Sequence, residues 1–366
     1  MIVDWLMANL RIEGWISLII IIVFGTMLLL SYKAGGISRE SFGAMLMLKA
    51  GMFLTAILIF GLSVLILQMV LNMFGFGFEN LILIVAMFTA FFMIFQWLFA
   101  PSFINTFYKV KFIEHPSNSM ERWLLEKVEY LTKLSGLKRV PKVGIAMGLN
   151  IPNAFAYSSP IYGPHVAVTP SLLSNMPKEE VEAVLAHEIG HLKHRDVTAM
   201  LAVSFIPILI YYLGRHLMFM SAFGYGYSGR DRDQTPALLL LVGIVLVLAG
   251  IIFQFLVKHF NRLREYYADA HSANTLNNPR PLQRALARLD LMYKAFKGRM
   301  KQRTDNNFIS MLFIYNYFVD FFYDYDEIDS YVEELKNKKT SWLIELLSTH
   351  PPIPKRIRFL DKLKLQ

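Results

Sequence analysis

The sequence of 366 residues is 55% hydrophobic and 18% charged, with a mean hydropathy of +0.40. Because soluble domains are about 45–50% apolar and about 25% charged, this composition excludes a disordered chain and favours an integral membrane protein with a sizeable soluble part. The net charge of +9 does not indicate nucleic acid binding, since no basic run alternates with aromatic residues and the Lys and Arg lie largely beside apolar segments, as at a membrane surface.

Five segments free of charged residues predict membrane helices, since a spanning helix needs about 20 apolar residues. They cover residues 14–32, 50–78, 80–108, 197–214 and 234–257. The fourth segment soon reaches Arg215 and His216, so a partly submerged helix and a full span both fit it. Asp4 and Glu13 stand where a cleaved signal peptide would carry basic residues, so no such signal is expected.

The distribution of Lys and Arg predicts an outside N-terminus and two cytoplasmic soluble blocks. The first loop carries Lys33, Arg39 and Lys49 and the second only Glu79, while basic residues recur after the third and fifth segments. The loop 228–234 is an exception, because its two Arg would lie outside together with two Asp. We therefore expect an N-terminal membrane region with three spans at 1–108, a first soluble part at 109–196, a membrane helical hairpin at 197–257 and a second soluble part at 258–366.

The two soluble parts differ in their predicted secondary structure. Apolar residues recur at helical spacing over residues 121–134. Residues 143–147 and 154–169 alternate in polarity and contain turn residues, which predicts short strands in a hairpin. Residues 258–366 are mainly helical in pattern. The expected fold class is a mainly α integral membrane protein with about five membrane-embedded helices and a small β-sheet.

A metal-binding motif lies on a predicted helix that begins near Pro177. Residues 187–191 read HEIGH, so His187 and His191 are four residues apart and both imidazoles share one helix face. The chain has no Cys, so a metal must be bound by His and carboxylates, and zinc suits neutral imidazoles. A surface helix with two ordinary histidines is the alternative that the motif alone leaves open.

A third protein ligand is expected elsewhere, because a catalytic zinc has three protein ligands and one open position. The extended motif HExxHxxGxxH is excluded, since Val197 stands at its last position. Glu265, 74 residues after His191, is the better candidate, and Asp269 follows one helical turn later on the same face. From there Asp269 could hydrogen-bond the far nitrogen of a ligand histidine. A solvated helical glutamate is the alternative for Glu265.

Four motifs together resemble the HtpX heat-shock protease branch of the integral-membrane zinc peptidases, which are related to the CAAX prenyl endopeptidases. In chain order they are Asn153-Ala154-Phe155-Ala156, the run 181–191, residues 265–269, and Thr349-His350-Pro351-Pro352 with Arg356. The resemblance extends from about residue 121 to the C-terminus. The chain departs from the family in its N-terminal region, where three apolar segments are predicted and HtpX proteins usually have two.

The resemblance implies a zincin-like (gluzincin) α+β catalytic domain and a zinc-dependent endopeptidase. One zinc ion per chain would be bound by His187, His191 and Glu265, Glu188 would be the catalytic acid/base, and Asp269 would support the site. The expected partners are the lipid bilayer and polypeptide substrates. The expected role is quality control of misfolded membrane proteins under stress, at the cytoplasmic side of the cell membrane.

The C-terminal motif and the first motif complete the expected site. The resemblance implies that His350 and Arg356 stabilise the transition state, and losing one such donor typically costs about 10²–10³ in turnover. The alternative for His350 is a turn that ends a helix. Asn153, Ala154, Phe155 and Ala156 are expected to bind substrate, because a strand edge can hold varied peptides through main-chain hydrogen bonds. An interior hairpin strand is the competing interpretation.

Three other functions compete with a membrane-surface protease. An intramembrane protease would place the motif within the bilayer, but residues 178–182 and 193–196 are rich in charges, which favours an aqueous site. A CAAX-type prenyl-peptide endopeptidase usually has more spans and a longer chain. A non-catalytic metal-binding scaffold or transporter would call for acidic residues inside a span, and none of the five segments contains one.

Overall fold

The computed structural model describes residues 41–74, 77–223, 235–303 and 325–363. The described helices are α1 (Ser41–Phe74), α2 (Gly77–Phe107), α3 (Ser119–Ser135), α4 (Pro170–Asn175), α5 (Lys178–Lys193), α6 (Asp196–Phe223), α7 (Thr235–Leu276), α8 (Arg280–Arg303), α9 (Tyr325–Asn337), α10 (Trp342–Leu347) and α11 (Ile353–Asp361). The strands are β1 (Val110–Phe112), β2 (Lys142–Ala146), β3 (Ala154–Ser159) and β4 (Gly163–Val168).

The chain divides into two compact units. Among the described residues, one comprises 47–74, 77–95, 198–223 and 235–263, and the other comprises 41–46, 96–197, 264–303 and 325–363. We refer to them as the apolar unit and the catalytic unit. The four-part organisation at 1–108, 109–196, 197–257 and 258–366 remains a prediction.

Four described helices are long and apolar enough to cross a membrane. Their apolar portions are Gly43–Ser63, Leu83–Phe107, Asp196–Ala222 and Pro236–Leu276, which confirms a helix at the second to fifth predicted segments. The first segment, residues 14–32, lies outside the described residues. At 28 residues, α6 is long enough for a full span. At 42 residues, α7 is about 60 Å long, so it has length for a span of about 30 Å and a further extension.

Close packing of α6 against α7 forms the core of the apolar unit. Gly214 and Gly243 allow the two backbones to approach, because a Cβ at Gly243 would lie 2.7 Å from Met218 Cγ and 2.9 Å from the Gly214 carbonyl oxygen. Small residues serve the same purpose in other membrane helix pairs. The side chains buried around this contact are Ile210, Leu213, Leu217, Leu239, Val242, Leu246 and Phe253.

A four-stranded mixed sheet with the order β1-β2-β4-β3 lies in the catalytic unit. β2 pairs with β4 in parallel. β1 pairs antiparallel with β2, and β3 pairs antiparallel with β4. The hairpin predicted within 154–169 is confirmed, with Ala154 opposite Val168 and Ser159 opposite Gly163. β1 was not predicted, because three residues are too short to show an alternating pattern. β3 is an edge strand of this sheet.

The motif helix α5 is held in the core of the catalytic unit by apolar contacts and one buried ion pair. It packs against β3, α3 and α8, with Leu185 and Ile189 fully buried. Arg288 of α8 donates from Nε and Nη2 to both carboxylate oxygens of Glu180, at 2.8 and 3.0 Å. Burial raises the pKa of Glu180, and Arg288 opposes that rise. Because removing one partner of a buried pair typically costs about 3–5 kcal/mol, this contact fixes the position of α5 firmly.

Candidate active site

The two histidines of the motif share the side of α5 that lines a cavity, as their spacing requires. Their Nε2 atoms are 3.2 Å apart and their rings are nearly perpendicular. Glu265 of α7 reaches the same point, with Oε2 3.7 Å from His187 Nε2 and Oε1 3.6 Å from His191 Nε2. Among the described residues, these three form the one group of His, Cys, Asp or Glu side chains that could hold a metal ion.

The distances between these donor atoms fit zinc. Four ligands about 2.0–2.1 Å from a tetrahedral ion are about 3.3–3.4 Å apart, close to the 3.2 Å between the two histidine nitrogens, and one donor atom from each of the three residues lies within 4.8 Å of the others. Two imidazoles and one carboxylate also match the ligand set of catalytic zinc. The residues present therefore fit a zinc ion with one coordination position left open.

Asp269 and Arg356 support His187. Asp269 Oδ1 lies 3.0 Å from His187 Nδ1, on the far side of the ring from Nε2. Arg356 donates from Nε to Asp269 Oδ2 at 2.8 Å and from Nη2 to Oδ1 at 2.5 Å. Burial would lower the pKa of His187, but the nearby carboxylates of Asp269 and Glu265 outweigh it and raise the pKa to about 9. Metal binding at neutral pH would therefore displace a proton.

Asp196 supports His191, a role that was not predicted from the sequence. Its Oδ2 accepts a hydrogen bond of 2.5 Å from His191 Nδ1, which leaves Nε2 with a free lone pair. Asp196 is close to His191 in sequence, but it lies at the junction of α5 and α6. There Arg195 adopts a left-handed conformation with φ of 54°, and this turn decides where the carboxylate points. The five-residue spacing between His191 and Asp196 is the sequence feature from which this contact could have been predicted.

The edge strand β3 holds Glu188. The backbone N–H of Ala156 donates to Glu188 Oε2 at 2.8 Å, so the outer side of β3 faces the motif helix. Main-chain groups alternate in direction along an antiparallel strand, so those of Ala154 and Ser158 also point outward, and those of Phe155 point toward β4. The N–H of Thr169 donates to the Asn153 carbonyl oxygen at 2.9 Å, and the N–H of Asn153 donates to the Thr169 hydroxyl oxygen at 2.9 Å. The main-chain groups of Ala154 and Ser158 and the carbonyl group of Ala156 therefore point away from β4.

A cavity of about 520 Å³ opens over these groups. Glu188, His350 and Arg356 line it together with the proposed metal ligands, and all four residues of the first motif lie in its wall. His350 Nδ1 is 3.0 Å from Glu265 Oε2, yet its side chain is 62% exposed and has room to move. Arg356 donates from Nε and Nη2 to Asp269. One wall is apolar and consists of Leu172, Val184, Leu282, Leu286 and Leu289.

Comparisons with known sequences show the family of this chain. Residues 118–364 match the sequence profile described as peptidase family M48. A protein named "Protease HtpX homolog" from Aeropyrum pernix is 49% identical over 269 residues, which are 73% of this chain and 82% of that protein. "Protease HtpX homolog 2" of Saccharolobus solfataricus is 40% identical over 297 residues, 79% of this chain and 87% of that protein. The crystal structure of S. mikatae Ste24p matches 83% of this chain and 66% of its own chain, at 18% identity and a TM-score of 0.46.

Proposed function

This chain belongs to peptidase family M48 and is a membrane metalloprotease, and on that premise we propose that it is a zinc-dependent endopeptidase whose ion is held by His187, His191 and Glu265. The observation that carries the proposal is the convergence of three donor atoms from two helices, one each from His187, His191 and Glu265, which lie within 4.8 Å of one another. The site has two net negative charges when the histidines are neutral, which favours a divalent cation. The four carboxylates are those of Glu188, Asp196, Glu265 and Asp269, and the two guanidinium groups are those of Arg264 and Arg356.

Glu188 is the acid/base of the proposed reaction. A zinc ion at the site would supply a Lewis acid that lowers the pKa of its water from 15.7 toward about 7. Glu188 takes a proton from the attacking water and delivers it to the leaving amine. The N–H of Ala156 holds Oε2, so the other carboxylate oxygen, Oε1, is left for this proton transfer.

His350 and Arg356 have different proposed roles. His350 is exposed enough to turn from Glu265 toward the substrate and donate to the oxygen of the tetrahedral intermediate. Arg356 instead fixes Asp269, and through it the ring of His187. A His350→Ala variant with wild-type turnover would contradict the first role.

Chelation tests the metal directly. Treating purified full-length protein with a chelator is expected to abolish casein cleavage, and adding about one equivalent of zinc is expected to restore it. Elemental analysis before treatment should find about one zinc per chain. Cleavage that persists in fully metal-free protein would contradict the proposal. Recovery with another divalent ion but never with zinc would correct the identity of the metal.

Substrates bind along the outer edge of β3, with Glu188 held by the N–H of Ala156. Replacing Ala156 by Pro removes that donor, and Pro is tolerated where the N–H does not pair within the sheet. Because hydrogen bonds to charged groups contribute about 1.5–3 kcal/mol, kcat should fall about 10- to 100-fold while KM changes little.

The matched control is Ser158→Pro on the same edge, whose lost N–H faces the substrate alone. This variant should raise KM with a smaller change in kcat. The proposal fails if the two variants show the reverse pattern, and circular dichroism should verify that both keep the fold.

The proposed cellular role is quality control of misfolded membrane proteins, with the catalytic unit on the cytoplasmic side of the cell membrane. Main-chain recognition by β3 supports loose sequence preference, and the Lys and Arg distribution supports the orientation. Since the chain has no Cys, a Lys138→Cys variant carries a single thiol in the catalytic unit. In intact cells a membrane-impermeant thiol reagent should not label this variant, and labelling would refute the cytoplasmic orientation. Substrates trapped by a Glu188→Gln variant should be enriched in unfolded membrane proteins, and their absence would count against the role.

A further inference from the structure

Arg264 contacts both acidic groups on the His191 side of the site. Its Nη2 donates to Glu265 Oε1 at 2.9 Å. Its Nε lies 3.7 Å from Asp196 Oδ2 and is buried without a hydrogen-bond partner among the described residues. The side chain is only 17% exposed, so its position is well defined. One guanidinium thus approaches a proposed metal ligand and the carboxylate that orients another.

The two oxygens of Glu265 have different partners. Oε1 accepts from the confined Arg264, whereas Oε2 faces His350, whose side chain is 62% exposed and free to leave. A carboxylate oxygen that accepts a charge-assisted hydrogen bond keeps a second lone pair but is a weaker donor to a cation than the other oxygen. Glu265 is therefore arranged to bind a metal through Oε2 in preference to Oε1, which Arg264 holds beside His191.

We propose that Arg264 is a positioning residue that keeps Glu265 a one-oxygen ligand and so preserves the open coordination position needed for the attacking water. This inference rests on the proposed function, since it requires an ion at His187, His191 and Glu265. Without the guanidinium, both oxygens of Glu265 are free to chelate the ion. The second oxygen would then fill the position that the water needs.

The Arg264→Met variant separates this role from simple structural support. Removing a contact that only supports the fold should weaken metal binding. The positioning role instead predicts metal binding at least as tight as in the wild type, because a ligand atom is gained and a positive charge is lost. Turnover should nevertheless fall about 10- to 100-fold, the usual size of effects of residues that orient metal ligands.

Visible absorption of the cobalt-substituted full-length protein gives a readout other than activity. Four-coordinate cobalt absorbs more intensely than five-coordinate cobalt, so the band of Arg264→Met should weaken. Arg264→Gln retains one donor for Oε1 and should keep most of the wild-type intensity. Arg358→Met is the matched control, since Arg358 donates to the carbonyl oxygens of Lys336 and Lys338. Its spectrum should not change.

An unchanged cobalt spectrum in metal-loaded Arg264→Met, or metal binding that becomes weaker, overturns this inference. If Arg264→Met does not fold, Arg264→Gln and Arg264→Lys decide it. The Lys side chain is a point charge that cannot contact Glu265 and Asp196 together, so Arg264→Lys should give an intermediate spectrum. A wild-type spectrum with lowered metal affinity in this variant would overturn the proposal. A failure of the proposed function would be recognised separately, because the wild-type protein would then bind no metal or would show no cleavage that depends on Glu188.

Discussion

Replacing Glu188 by Gln is expected to abolish peptide cleavage while the fold and the bound metal stay unchanged. General acid–base catalysis by one side chain typically contributes about 10²–10⁴ in rate, so the remaining activity should be at or below about 1%. The substitution preserves shape. The amide oxygen of the new side chain can accept from the Ala156 N–H as Oε2 does now, at 2.8 Å, while the amide nitrogen cannot take a proton from water.

The same helix offers a matched control for this variant. Glu182 pairs with Lys127 at 2.9 Å and does not line the cavity, so Glu182→Gln should cleave at the wild-type rate. Casein cleavage, metal content and thermal unfolding should be measured for both variants. Wild-type turnover in Glu188→Gln would exclude the acid/base role even if the metal were present.

Replacing Glu265 by Ala is expected to lower metal affinity by about 10²–10³. A structural zinc site with four ligands binds with roughly 10–16 kcal/mol, so one ligand is worth about 3–4 kcal/mol, or two to three powers of ten. The carboxylate lies within 3.7 Å of both imidazoles and is 2% exposed, so water replaces it poorly. Competition with a chelator of known affinity measures the change.

A second variant guards against a loss of fold, because Glu265→Ala leaves Arg264 without its carboxylate partner. Glu265→Gln fills the same volume and can still accept from Arg264, but a neutral amide is a poor zinc ligand, so its affinity should fall by a similar factor. The exposed Glu333 gives the control, and Glu333→Ala should bind metal normally. Normal metal content in the folded Glu265 variants would mean that the third ligand lies elsewhere.

Local patterns predicted much of the architecture. Helices at the second to fifth apolar segments, the helix over residues 121–134, the strands near 143–147 and within 154–169, and the start of α5 after Pro177 are all confirmed. Each depends on residues adjacent in the chain, where hydrophobic period and turn chemistry act directly. β1 was missed, because three residues become a strand only through their pairing with β2.

Several contacts within the site could not be predicted from local sequence patterns. Asp196 is five residues from His191 in the sequence, but the left-handed conformation of Arg195 decides that its carboxylate reaches the ring. The sequence resemblance implied a transition-state role for Arg356, which stays a prediction, and the structure adds that its Nε and Nη2 donate to Asp269. Asn153 matched a substrate-binding motif, but its main chain is committed to Thr169. None of these contacts leaves a periodic signal, since each joins separate elements.

The sequence alone determined that His187 and His191 face the same way, because one helical turn brings residues four apart together whatever surrounds the helix. It also determined the apolar segments, since about 20 consecutive residues without charge need no tertiary context to be recognised. Only the tertiary structure decided that Glu265, 74 residues later in the chain, lies beside the two histidines. It also decided which partners are contacted by the four charged residues around the site, Asp196, Arg264, Asp269 and Arg356. The reason is physical: distances within an element follow from backbone geometry, whereas distances between elements follow from the packing of the whole core.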